Sequence, residues 1–129
     1  MTAATHRTLG ALLGVVLLLV IAAEINTVRI ALTDPSRYVA TFPGATGPMF
    51  FATLATSLAA ALNAVLIWFR QRWAIGFNIV IGLLSIAMIE QVGGPRSSQL
   101  VVLSACAVTT LLPMILWHRG APLSKHRGS

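Results

Sequence analysis

Two carboxylates, one guanidinium and two amides stand inside or at the ends of otherwise apolar runs. The stretch "VIAAEINTVRIAL", residues 20–32, carries Glu24, Asn26 and Arg29, and "IAMIEQV", residues 86–92, carries Glu90 and Gln91. Charged groups in apolar helices normally face a bundle interior or a water-filled cavity. Such groups can bind a cation, pair with a counter-charge or move a proton. Glu24 and Arg29 are five residues apart and point about 140° from one another on a helix, so they make a poor intrahelical pair. Asn26 and Arg29 share a face. Glu24 then needs a partner on another helix, or a proton.

Counting 1.5 Å per residue from Arg7 places Glu24 about 25 Å up its helix, and counting from Arg72 places Glu90 about 27 Å up its own. On that count the two carboxylates share a height at the outer edge of the hydrocarbon. The expectation is an outward-opening polar pocket made by Glu24, Asn26, Arg29, Glu90 and Gln91. The competing expectation makes Glu24 and Glu90 boundary markers at headgroup level. A second polar pair, Asn63 and Asn78, lies at matching distances from the basic turn "RQR" and is expected to bond directly between helices, as structural glue.

Elements that could position these groups follow from composition. Of 129 residues, 57% are hydrophobic and 9% charged. Soluble domains carry about 25% charged residues. Lipid is therefore the expected solvent, and the lipid bilayer the first partner. Four apolar runs reach the roughly 20 residues that a bilayer requires: about 8–32, 48–69, 73–92 and 98–117. They are separated by "TDPSRYVATFPGATGP", "RQR" and "GGPR", all turn-forming strings. The apolar run after Arg7 exceeds the core of a signal peptide, and "IAAE" lacks the small-residue pair of a cleavage site, so an uncleaved helix is expected. The fold class that results is all-α: a single membrane domain over 1–129, built as an antiparallel bundle of four transmembrane helices.

Charge bias orients it. With both termini cytoplasmic, Arg7, Arg70, Arg72, Arg119, Lys125 and Arg127 lie inside, against Arg29, Arg37 and Arg96 outside, which satisfies the positive-inside rule. Trp68, Trp73 and Trp117 then fall at one boundary, where indoles concentrate. A multi-pass protein of a bacterial inner membrane is the expected setting. Small residues at Gly10 and Gly14, and at Ala52, Thr56, Ala60 and Ala64, suit close helix packing. Pro113, with Thr109 and Thr110 near it, predicts a kink in the last span.

Several chemistries lack their residues. The nine basic residues sit at the ends of apolar runs and form no patch with aromatics, which argues against nucleic acid. Cys106 is the single cysteine, and His6, His118 and His126 lie outside the apolar runs, so neither a metal nor a haem is expected. No phosphate loop, nucleophile elbow or metalloprotease helix occurs, no cofactor is implied, and no motif ties the chain to a known family. Three functions stay open. The first is a binding or accessory subunit, or a minimal carrier for a small hydrophobic or cationic solute. The second is a small membrane enzyme with a glutamate base, acting on a lipid-soluble substrate. The third is a scaffold in a larger membrane complex. A homo-oligomer or a membrane-complex partner is compatible with each.

Overall fold

The computed structural model describes the backbone of residues 2–128 and the side chains of residues 2–117. The side chains of His118, Arg119, Lys125, His126 and Arg127, invoked above, lie outside that range. Five helices follow in order among the described residues: α1 (Ala3–Thr33), α2 (Pro35–Thr41), α3 (Pro48–Trp68), α4 (Trp73–Gln91) and α5 (Arg96–Gly128). In α1, α3, α4 and the Arg96–Trp117 part of α5, length and apolar content suffice to cross a membrane. Such a chain reads as a multi-pass membrane protein, because only helices satisfy their own backbone at these lengths in lipid.

The termini of the helices have local causes. Thr2 caps α1, its hydroxyl accepting from the Thr5 amide at 3.1 Å, and Pro48 opens α3 at a position where its missing N–H costs nothing. Gly93, at φ +71°, takes the left-handed conformation that ends α4. Beyond it the Gly94 amide donates to Ile89 O at 2.8 Å. Asp34 ends α1 and starts α2. Its carboxylate accepts from the Arg37 amide, and Pro35 occupies the first turn. The expected loop between the first two spans therefore contains a helix. Its signal, Asp followed by Pro, is legible in "TDPS" but lies within a string rich in turn formers.

Neighbours close a ring: α1 on α3, α3 on α4, α4 on α5 and α5 on α1. Two buried clusters mark the ends of the bundle. Leu13, Leu17, Ala64, Ile67, Ala74 and Leu116 form one, at the "RQR" end. Ala31, Tyr38, Ala45, Leu54 and Val92 form the other, at the α2 end. Gly44 locks the α2 end. Its amide donates to Val92 O at 2.7 Å, and a Cβ there would stand 2.8 Å from Val92 Cα. Pro113 does not interrupt α5, which is helical from Arg96 to Gly128. Thr109 Oγ1 donates to Ala105 O at 2.7 Å, a carbonyl other than the one the proline leaves free.

Candidate functional site

Height decides what Glu24 can do. Gly14 packs under the Trp68 indole: a Cβ on Gly14 would stand 3.0 Å from Trp68 Cζ3. Tryptophans concentrate at membrane boundaries, and a boundary at Trp68 would meet α1 near Gly14, two turns above Arg7. Glu24 is ten residues further, about 15 Å, which is half of a hydrocarbon core about 30 Å thick. Ser57 stands eleven residues before Trp68, about 16 Å by the same rise, and its hydroxyl faces the Glu24 carboxyl. Glu90 is seventeen residues beyond Trp73, about 25 Å. The carboxylates therefore differ in height by about 10 Å, and the equal heights expected above are corrected. The error came from taking Arg7 as the boundary when α1 overhangs the bundle.

The other expected members of the pocket stand apart from Glu24. Asn26 and Arg29 are exposed, and Arg29 Nη2 donates to Asn26 Oδ1 at 2.8 Å. Glu90 and Gln91 are exposed as well. Glu90 accepts from Gln99 Nε2 at 3.1 Å, which ties α4 to α5. None of these four residues lines the cavity that Glu24 lines.

That cavity has a volume of about 300 Å³. Every helix contributes to it: Glu24 and Thr27 from α1, Tyr38 from α2, Thr53, Thr56 and Ser57 from α3, Ser85 and Met88 from α4, and Ser97 and Ser98 from α5. Hydroxyls dominate its polar lining, and Glu24 is the one charged side chain in it among the described residues. Each threonine donates its proton to a carbonyl of its own helix, Thr27 to Ala23, Thr53 to Phe50 and Thr56 to Ala52. Thr56 Oγ1 also lies 3.0 Å from Met88 Sδ, joining α3 to α4.

Tyr38 and Phe42 cover the cavity at the α2 end. Tyr38 is 4% exposed. Its ring lies 5.2 Å from Phe42 and 5.8 Å, edge to face, from Phe50. Burial pushes the Tyr38 phenol above its ordinary pKa; the facing Thr53 hydroxyl opposes this, and the charge of Glu24 adds to it. With Ala31, Ala45 and Val92 buried around it, Tyr38 covers part of the cavity at the α2 end, where exposed Ser97 at the start of α5 also lines it. The sequence reading missed Tyr38, Thr53, Ser57 and Ser85. The hydroxyls inside apolar runs were a visible signal; burial of a loop tyrosine left none.

A second cavity of about 180 Å³ continues toward the "RQR" end, past Gly82, Ala105 and Cys106 to Asn78 and Thr109. Glu24 and Ser85 line both cavities. The Asn63–Asn78 bond expected above is not formed. Asn63 Nδ2 donates to Ala74 O at 2.9 Å. Asn78 Nδ2 donates to Thr109 Oγ1 and Thr110 Oγ1, both at 2.8 Å. Equal height did not fix azimuth: Asn63 faces α4, whereas Asn78 faces α5. Both amides still join helices, as glue.

The arrangement offers one carboxyl, a ring of hydroxyls and an apolar extension inside the bundle. It can neutralise a cation, accept hydrogen bonds from a polar head or take up a proton. No group of three or more His, Cys, Asp or Glu side chains with metal-holding geometry occurs among the described residues. Compared with protein-family models, with curated proteins and with solved structures, the chain matches none.

Proposed function

We propose that the protein binds a small hydrophobic or cationic solute in the Glu24 cavity, as a carrier or as the binding subunit of a membrane complex. The observation that carries this reading is the position of Glu24. It is the one charged side chain among the described residues lining either cavity, at about mid-bilayer height. An ionisable group there is costly in lipid and is retained for function. About 300 Å³ is the lower end of the range for small-molecule sites. A lining with a carboxyl and no cation selects bases and neutral donors over acids.

We place the helices antiparallel, with both termini on the cytoplasmic side of a bacterial inner membrane. Support comes from the charge bias and from the tryptophans at one boundary. Further support is the pairing of the start of α1 with the end of α3 in one cluster, and the reverse in the other.

The test is binding of alkylammonium ions of graded size to the purified protein, followed by thermal shift. Wild type is expected to gain stability and Glu24→Gln, which keeps size and loses charge, to lose at least tenfold in affinity with its fold intact. Equal affinity in Glu24→Gln overturns the reading. The enzyme alternative, with Glu24 as base beneath Tyr38, requires turnover of the bound compound; its unchanged recovery by mass spectrometry counts against that alternative.

A further inference from the structure

The Glu24 cavity is covered by buried side chains of the α2 region and reaches exposed residues along its side. Its roof is Tyr38, 4% exposed, with Ala45 at 0% and Val92 at 2% around it. Its side is different. Ala23 of α1 lines both cavities and is itself exposed. Val101 of α5 lines both and is 67% exposed. Leu19, 64% exposed, lines the second cavity, and Ser97, also exposed, lines the first. A residue that both lines a cavity and faces outward stands at its mouth. These four lie on α1 and α5, the pair that closes the ring.

Buried side chains join the two helices at the "RQR" end, where Leu13 and Leu17 of α1 share a cluster with Leu116 of α5. The buried cluster at the α2 end contains no residue of α5. Val101 is five residues into α5, about 8 Å below its start, and Ala23 is near mid-bilayer. The mouth therefore runs from Ser97 at the start of α5 down to Leu19, and its part at Val101, Ala23 and Leu19 lies at hydrocarbon depth, against lipid chains.

Resting on the binding role proposed for Glu24, we propose that the cavity is loaded from within the bilayer, through the gap between α1 and α5, by a membrane-dissolved alkyl amine. Its ammonium group lies at Glu24, among Ser57 and Ser85. Its chain fills the second cavity, whose walls at Val20, Ile81, Val102 and Ala105 are apolar. Ser85 and Asn78 are seven residues apart, about 10 Å along α4, the length of an extended octyl chain. The roof needs no opening, because a partitioned amine already has its head near the interface and its chain at the mouth.

The experiment uses the full chain in lipid nanodiscs with n-octylamine as probe and methylammonium, which stays in water, as comparator. Binding rates and equilibrium affinity are read by stopped-flow fluorescence of the native tryptophans. Ala23→Phe with Val101→Phe narrows the mouth at exposed positions. Leu18→Phe with Leu100→Phe adds the same bulk on lipid-facing positions outside both cavities. Octylamine association is expected to slow at least tenfold in the mouth variant and to stay unchanged in the control, with melting temperatures alike. Glu24→Gln is expected to lose affinity with the mouth intact. Unchanged association in the mouth variant, with Glu24→Gln still impaired, overturns lateral loading and leaves the binding role standing. Equal affinity in Glu24→Gln overturns the binding role itself. Tighter binding of methylammonium than of octylamine overturns loading from lipid, as does the absence of any octylamine response.

Discussion

The "RQR" end of the bundle is filled with side chains, whereas the α2 half is built around space. At the first, Leu17 at 2% exposure, Ile67 at 1% and Ala74 at 0% meet across three helices. At the second, hydroxyls and one carboxyl surround about 300 Å³ that no side chain fills. The same four helices make both. Small residues at the packed end let large neighbours close over them, as Gly14 does under Trp68. Serines and threonines in the other half are as small, but face a cavity rather than a neighbour. Stability and binding are thus divided along the bundle axis, and substitutions should separate them.

The largest expected effect on stability is at the packed end. Ile67→Ala removes a fully buried side chain where α1, α3, α4 and α5 meet. Buried Ile→Ala changes cost about 2–5 kcal/mol in soluble cores. Lipid tails are as apolar as the side chain, so the part due to leaving water is missing here. A loss of about 2 kcal/mol is expected, mostly from the cavity left behind. Thermal unfolding in one detergent measures it, and octylamine affinity should hold. A loss of affinity with little loss of stability would reverse the division of labour.

A smaller loss is expected where α4 meets α5. A Cβ on Gly82 would stand 2.5 Å from Cys106 Sγ, so Gly82→Ala forces the helices apart at the wall of the second cavity. Overpacking of this kind costs about 1–3 kcal/mol; the lower end is expected, since the alanine is small. Cys106→Ala removes the obstructing sulfur and should restore most of the loss in the double variant. A double variant no better than Gly82→Ala alone would mean that the approach is set by backbone.

What could be read from the sequence divides along physical lines too. The four spans could be read because backbone hydrogen bonding in lipid leaves apolar runs of this length one conformation. The importance of Glu24 could be read from its cost in an apolar run, but its height could not. Rise per residue is fixed, whereas the residue that meets the boundary depends on packing, here of Trp68 on Gly14. Azimuth was equally hidden: Asn63 and Asn78 share a height and face different helices. Tyr38 was hidden most completely: "TDPS" marks the start of α2, but the burial of its tyrosine against Phe50, Ala45 and Val92 arises from tertiary contact.

Azimuth supplies the next prediction, since the two asparagines bond to different partners. Hydrogen bonds between membrane helices contribute about 0.6–2 kcal/mol. Asn78→Leu, which leaves two threonine hydroxyls on α5 without their donor, should cost about 1 kcal/mol, and Asn63→Leu, which loses one bond to a carbonyl, somewhat less. Because no hydrogen bond joins the pair, the losses should add within about 0.5 kcal/mol. A double variant clearly more stable than that sum would show coupling between α3–α4 and α4–α5.

The smallest expected effect on stability tests the cavity half most sharply. Ser85 lines both cavities beside Glu24, in a helix that is otherwise apolar at this level. Ser85→Ala removes one oxygen from a surface that faces space, so it neither opens a packed contact nor leaves a neighbour unpaired. A change in stability within about 0.5 kcal/mol is expected. Alanine also forms helix better than serine, which offsets part of any loss. Affinity is another matter. If the ammonium head of the bound amine sits between Glu24 and Ser85, the missing hydroxyl should weaken n-octylamine by about 1 kcal/mol, roughly fivefold. The measurements are a melting curve without ligand and an octylamine titration of the same sample. A protein destabilised by more than 1 kcal/mol would show that Ser85 belongs to the packed structure. Unchanged affinity would move the amine head away from the junction of the two cavities and toward the hydroxyls beneath Tyr38.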